Sequence, residues 1–389
     1  MNILCINAGS SSIKFAIRPG DGTAPVAWGA LDNIGQVEAR LWIRSSRSDV
    51  GHESRHRGLT HTVAMARLLA TVDELATPFA AVGHRVVHGG RRFAAATGID
   101  TDVLAALDEL VPLAPLHLPA QLSAIAQIAD HAPTLPQVAC FDTAFHRRMP
   151  ELAQRLPLPE WAWNEGIMRF GFHGLSYQHV ADVLGPECGR VIIAHLGNGA
   201  SMAAVVDGAP IDTTMAFTPT SGLMMGSRCG DLDPGVLVHL LRRNAMTADQ
   251  LDHLINCESG LLGVSGSTTD MRTLLAARDA DARADRAITM FCRTAAKAIG
   301  ALAAVVGGVD QLVFTGGIGE HASAVRAEIC TTLAHLGLSL DAERNRGNAA
   351  DIGADGGPSR VRIVAADETR VVARQTCAVV EDIDCRRVG

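Results

Sequence analysis

The apolar positions at the start of the chain change rhythm within fifteen residues. Ile3, Leu4, Cys5 and Ile6 form an unbroken run that stops at Asn7-Ala8-Gly9-Ser10-Ser11-Ser12. Ile13, Phe15 and Ile17 then alternate with Ser12, Lys14 and Ala16. A continuous run followed by a period of two predicts two strands joined by a small-residue turn, the second strand with one buried face. Lys14 and Ser12 fall on the other face, where the turn points.

The pattern returns at VIIAHLGNGASMAAVVDG, from Val191 to Gly208. It is again an apolar strand, a turn of Gly197, Asn198 and Gly199, and a second apolar strand. Self-similarity of this kind predicts a duplicated architecture. Between and beyond the two copies, Phe79 to His88 contains a strand, Asp102 to Leu110 reads as a helix, and PQVACFDTAFH runs from a strand into a polar end. A helix is expected after Asp233-Pro234, and a long one from Ala287 to Val306 closed by Gly307-Gly308. The latter carries Arg293 and Lys297 in its middle, which suits a core helix better than a membrane crossing. QLVFTGGIGEH reads as a strand, a glycine turn and the approach to a helix from Ala324 to His335, with Gly337 as its stop.

Composition narrows the class. A chain of 389 residues with 48% hydrophobic and 19% charged residues and 38 glycines fits a two-domain, turn-rich α/β enzyme. The formal charge of -7 and the absence of a basic tract exclude a nonspecific nucleic-acid partner. The nine cysteines are scattered without a CxxC pair, so reduced thiols in a cytoplasmic protein are expected. The opening residues lack a basic segment and a cleavage site, so no secretory signal and no membrane partner are expected. The 15 histidines contain no HExxH or similar ligand spacing, which argues against a metallohydrolase.

Either glycine turn alone is an ordinary hairpin or a phosphate cradle, in which backbone N–H groups converge on an anion because no Cβ intervenes. Arg85 in HRVVHGG and Arg228 in MMGSRCGD are each either an anion-binding fork or a buried arginine satisfied by a carboxylate. Asp142 lies at a strand end. Glu368 lies at a helix start, where negative charge is favoured.

The blocks NAGSSSIKF, GHRVVHGG, FDTAFH, RFGFHG, AHLGNGAS, FTPTSGLMMGSRCGDLDPG, SGLLGVSGSTTDMR and FTGGIGEH follow one another along almost the whole chain. In order and spacing this chain resembles the acetate kinase (acetokinase) family. The resemblance implies an α/β fold of two RNase H-like domains, of the actin, Hsp70 and sugar kinase type, with a nucleotide cleft between them. It implies an N-terminal domain of residues 1–145 rejoined by 368–389, and a C-terminal, nucleotide-binding domain of 146–367 that forms a homodimer.

The implied activity is reversible transfer of the ATP γ-phosphoryl group to acetate, giving acetyl phosphate and ADP, by direct in-line transfer with Mg²⁺ or Mn²⁺. By the same resemblance, Ser10, Ser12 and Lys14 contact phosphate. His195, Leu196, Gly197, Asn198 and Gly199 belong to the ATP site, as do Asp270, Met271 and Arg272 and the stretch Gly317, Ile318, Gly319, Glu320 and His321. Asn7 and Glu368 are associated with the metal. Arg85, Arg228 and His173 act on the carboxylate and the transferring phosphoryl group, with His117 nearby, and Asp142 is the catalytic acidic residue. Val87, Leu116, Phe172 and Pro219 surround the acceptor's methyl group, although each alone also reads as a core residue.

Five positions depart from the family pattern: Ser227 in place of a threonine before Arg228, Cys229 in place of a serine after it, His321 in place of an asparagine, Tyr177 in place of a histidine, and Thr369 in place of a second Glu. His321 leaves the choice among ATP, GTP and pyrophosphate open. A ligand-driven clamp without catalysis is the competing function class. Retention of Asn7, Lys14, Arg85, Asp142, His173, Arg228 and Glu368 together argues against it.

Overall fold

The computed structural model describes residues 1–46, 48–75, 77–243 and 245–388. The chain divides into two compact units, Met1–Arg147 with Asp367–Gly389, and Arg148–Ala366.

Unit 1 is built on one eight-stranded sheet. Its strands are β1 (Asn2–Ala8), β2 (Ser12–Pro19), β3 (Ala27–Asp32), β4 (Glu38–Ser45), β5 (Ser48–Arg57), β6 (Ala81–Val86), β7 (Thr97–Gly98) and β8 (Gln137–Phe141). Their order across the sheet is β5-β4-β3-β2-β1-β6-β8-β7. The period-two reading of the first hairpin holds. Ile13, Phe15 and Ile17 of β2 join Leu4, Ile6, Leu31 and Leu41 in the core, whereas Lys14 is exposed. Helices His61–Glu74 and Leu118–His131 pack against each other on this side, through Met65, Leu68, Ala124 and Ile128.

The other face is covered by the helix Glu368–Val388, which contacts β1, β2, β6 and β8. It approaches closely because Gly83 lies under it. A Cβ there would sit 2.3 Å from Thr376 Oγ1 and 2.6 Å from Val372 Cγ1.

Unit 2 repeats the plan with five strands: β9 (Arg190–Leu196), β10 (Ala200–Val206), β11 (Ala209–Thr213), β12 (Gln311–Thr315) and β13 (Arg360–Ile363). Their order is β11-β10-β9-β12-β13. In both sheets a first strand pairs antiparallel with a second, the second with a third, and two later strands run parallel beside the first. The core β3-β2-β1-β6-β8 and the sheet β11-β10-β9-β12-β13 therefore share one topology, which is RNase H-like.

The long helix spans Ala282–Val306 and ends at Gly307 in the left-handed conformation, φ 73°. Its length and apolar composition would let it cross a membrane. Here Ile288, Phe291, Ala295, Ile299 and Leu302 are buried at three- and four-residue spacing, packed on β10 and neighbouring helices of the same unit.

The stretch after β12 differs from its sequence reading. The expected glycine turn is already helical over Gly316–His321, and the following helix is Ser323–Thr332, succeeded by a 3₁₀ turn at Ala334–Leu336 and the stop at Gly337. Glu320 explains the difference. Its Oε1 accepts the otherwise orphaned Gly316 N–H at 2.9 Å, closing the first turn.

Candidate active site

In unit 1 the proposed polar residues gather at the carboxyl ends of the parallel strands β1, β6 and β8. Asn7 lies at the end of β1 opposite Lys14 of β2, Arg85 near the end of β6, and Asp142 immediately past β8, its N–H donating to Val86 O at 3.0 Å. Side chains leaving such strand ends are free of the ladder and converge on one rim.

Arg85 occupies the centre of this group. Its Nε donates to both carboxylate oxygens of Asp142 at 3.1 and 3.0 Å, and its Nη2 donates to Oδ2 at 2.6 Å. Nη1 lies 3.4 Å from Asn7 Oδ1 and 3.6 Å from a Glu368 oxygen. Of the two sequence readings of Arg85, the arginine satisfied by a carboxylate is the arrangement the side chains form. Asp142 is fully buried. Burial raises its carboxyl to about 6 while Arg85 opposes that rise. Burial alone would lower the Arg85 pKa, but the carboxylates of Asp142 and Glu368 outweigh it and hold the guanidinium ionised.

Asn7, Asp142 and Glu368 offer hard oxygen donors of the kind Mg²⁺ takes, one or two carboxylates with water completing the shell. Among the described residues, no cluster of three or more His, Cys, Asp or Glu side chains has metal-binding geometry. These residues would hold a divalent cation that keeps water in its shell.

The remaining residues of this unit are more dispersed. Ser10 is exposed in the hairpin turn and Ser12 begins β2. Val87 is buried just beyond β6, its N–H held by Gln121 Oε1 at 3.0 Å. Leu116 is exposed, and His117 occupies the N-cap position of the helix Leu118–His131 without a side-chain capping bond.

In unit 2 the second hairpin turn, Gly197–Asn198–Gly199, is closed by Gly197 N donating to Gly199 O at 3.1 Å. Register across it puts His195 opposite Ser201. His173 stacks on His195 with centroids 4.4 Å apart and planes inclined by 26°. Its Nδ1 is 2.9 Å from Ser201 Oγ, which also bonds Tyr177 Oη, while Ser176 Oγ meets His195 Nδ1 at 2.8 Å. His173 has φ 58°, a left-handed conformation that costs a non-glycine residue about 1–2 kcal/mol. It stands at the N-cap of the helix Gly174–Leu184, where the stack and the Ser201 bond hold it.

The side chains of His173 and Arg228 come close together beside Gly199. A Cβ built there would be 3.4 Å from His173 Nε2 and 3.6 Å from Arg228 Nη1. Arg228 is steadied by Pro219 O at 3.3 Å from Nη1. Its loop packs on the turn through Gly226, whose N–H donates to Asn198 O at 2.9 Å. A Cβ at residue 226 would lie 1.9 Å from Asn198 Oδ1.

Phe172 and Pro219 are buried in this unit. Leu196 is buried in β9 beside the turn, and Thr315 of β12 pairs with His195, so Gly317, Ile318, Gly319, Glu320 and His321 follow the neighbouring strand end. Asp270 caps the helix Met271–Ala277 by accepting from Arg272 N at 2.8 Å, and the Arg272 side chain's hydrogen bond holds its carboxyl low. Met271 is buried, whereas Arg272 is exposed.

Sequence reading missed Ser201, Ser176, Gln121 and His61. Ser201 was legible in principle, because a three-residue turn places it opposite His195.

A family model described as the Acetokinase family matches residues 2–374. The chain belongs to the acetokinase family. Among acetokinase relatives, it is 45% identical over 390 residues to an acetate kinase of Rhodopseudomonas palustris, covering 96% of each chain. It is 42% identical over 397 residues to an acetate kinase of Acaryochloris marina, covering 97% of this chain and 99% of the other. Two crystal structures are similar to it over 97% of this chain and 99% of theirs. One is a propionate kinase from Francisella tularensis, TM-score 0.91 at 34% identity, and the other the acetate kinase of Porphyromonas gingivalis, TM-score 0.85 at 35% identity.

Proposed function

We propose that this acetokinase-family chain catalyses the reversible transfer of the γ-phosphoryl group of ATP to acetate, giving acetyl phosphate and ADP. The observation that carries the reading is the approach of His173 Nε2 and Arg228 Nη1 to one position beside Gly199, 3.4 and 3.6 Å from where a Cβ would stand. A guanidinium and an imidazole side by side suit an anionic oxygen better than a neutral one. The names of the curated relatives support acetate as acceptor.

The acceptor needs no general base. A short-chain carboxylic acid has a pKa near ~4.3 and is ionised at neutral pH. A carboxylate oxygen of acetate forms the new P–O bond in line as the bond to the β-phosphate oxygen breaks, and ADP leaves with that electron pair. The work left to the protein is alignment and charge neutralisation. Arg228 and His173 act on the phosphoryl oxygens. The hairpin turns at Gly9–Ser12 and Gly197–Gly199, with Lys14, hold phosphates. Asp142 and Glu368 orient Arg85 and, with Asn7, supply oxygen ligands. Mg²⁺, when bound, neutralises phosphate charge. The family resemblance assigns the methyl end of the acceptor to Val87, Leu116, Phe172 and Pro219. One added methylene is worth only ~1–3 kcal/mol, so propionate is a weaker substrate rather than an excluded one.

Two further parts of the reading concern assembly and location. The helix Pro234–Arg243 has no buried residue, yet Val236, Val238 and Leu241 are exposed on it. So short a helix is not stable in water by propensity alone, which supports a second copy of the chain as its cover and hence a homodimer. All nine cysteines are free thiols, in keeping with a reducing cytoplasm.

The test is ADP release measured with acetate, propionate and butyrate in turn. Acetate is expected to give the highest kcat/KM and propionate a lower one. Absence of acid-dependent ADP would overturn the kinase reading and favour the noncatalytic clamp.

A further inference from the structure

The hairpin turn of unit 1 is held from behind at its carbonyl groups. Gly9 O lies 2.6 Å from His61 Nε2, and Ser11 O accepts from Ile34 N at 2.9 Å. Within the turn, Gly9 N donates to Ser12 O at 2.8 Å. The N–H groups of Ser10 and Ser11 donate to no protein group among the described residues.

A peptide unit is planar and trans, so its C=O and N–H point to opposite sides. A histidine that draws the Gly9 carbonyl to one side therefore turns the Ser10 N–H to the other. Gly9 itself does not select this orientation, since a residue without Cβ lets the adjoining peptide rotate at little cost. In the flipped state the turn would present a carbonyl dipole to a polyphosphate and repel it.

We infer that His61 is a positioning residue for the nucleotide phosphates. Its Nε2–H latches the Gly9 carbonyl and so keeps the Ser10 amide directed outward for an anion. His61 is suited to this because it is the first residue of the helix His61–Glu74, which Thr60 caps. Its Nδ1 is buried without a partner among the described residues, a cost that the Gly9 hydrogen bond offsets. The inference rests on the phosphotransferase reading and adds to it a residue 52 positions away from the turn in sequence.

The test compares His61→Leu, which removes the donor, with His61→Gln, whose amide restores one at similar reach. In the full-length enzyme, His61→Leu is expected to lower kcat/KM for ATP by about tenfold, the effect of one lost hydrogen bond, while KM for acetate stays within about twofold. His61→Gln is expected to recover most of the loss. A purely structural role would instead lower the melting temperature and the active fraction without separating the two KM values.

Wild-type kcat/KM for ATP in His61→Leu, or a Gln variant no better than the Leu variant, overturns the latch. The kinase reading then still stands, because it is judged on the wild-type enzyme. Should His61→Leu fail to fold, His61→Ala assayed with free imidazole takes its place. Recovery of ATP turnover by imidazole supports the latch, and absence of recovery overturns it.

Discussion

Arg85 and Asp142 form a forked ion pair at the ends of neighbouring parallel strands, with the arginine Nη2 2.6 Å from Asp142 Oδ2 and its Nε shared between both carboxylate oxygens. The guanidinium is therefore oriented before any substrate arrives. Asp142→Asn keeps the shape but loses the charge, leaving Arg85 free to swing toward Glu368 and Asn7. Loss of a preorganised charge at a reacting centre typically costs about 10²–10³ in turnover, and a fall of that size in kcat is expected. Near-normal turnover with unchanged Mg²⁺ affinity would remove Asp142 from the reaction altogether.

The convergence of His173 and Arg228 on Gly199 leads to a second expectation. Gly199→Ala adds a methyl group 3.4 Å from His173 Nε2 and 3.6 Å from Arg228 Nη1, contacts that the fold accommodates. The fold should survive with a melting temperature within a few degrees, while kcat drops at least tenfold. Steady-state kinetics beside a circular-dichroism melt would separate the two, and an active Gly199→Ala enzyme would mean that no reacting oxygen sits there.

His84, next to Arg85 on β6, supplies a pH dependence of stability. It is buried on β6 with Nε2 2.7 Å from Gln137 Oε1, and burial lowers its pKa to about 4 despite that bond. With the folded pKa below the unfolded value of ~6.5, its contribution is present above pH ~6.5 and is lost as pH falls through about 4, an effect on the order of 3 kcal/mol. His84→Gln should therefore flatten the acid side of a plot of unfolding free energy against pH between 6.5 and 4. Superimposable wild-type and variant curves would show that His84 is not the group responsible.

The exposed aliphatic residues of the helix Pro234–Arg243 call for a covering surface. Leu241→Asp places a charge where a second copy would pack and should convert the dimer to a monomer by light scattering at micromolar concentration. A wild-type chain that is already monomeric would discard the proposed homodimer.

Much of this was readable along the chain. The alternation of Ile13, Phe15 and Ile17, the glycine turns and the capped helices are local properties, settled by neighbours two to four residues apart. GGIGEH was misread as a turn because its helix is closed by a side chain, Glu320, whose role depends on how the segment folds back. Arg85 illustrates the same boundary. Its residue type announced an anion partner, but whether that partner was a ligand or a protein carboxylate was not encoded locally.

The sequence by itself determined the strand hairpins, the duplicated plan and the kinds of charge available, because periodicity and turn chemistry act over a few residues. Only the tertiary structure decided which of those charges meet. Asp142 reaches Arg85 from 57 residues away, His61 reaches Gly9 from 52, and Ser201 reaches His173 from 28. Such pairings follow from strand order and from how helices pack on the sheet, and those are set by the whole core rather than by any one segment.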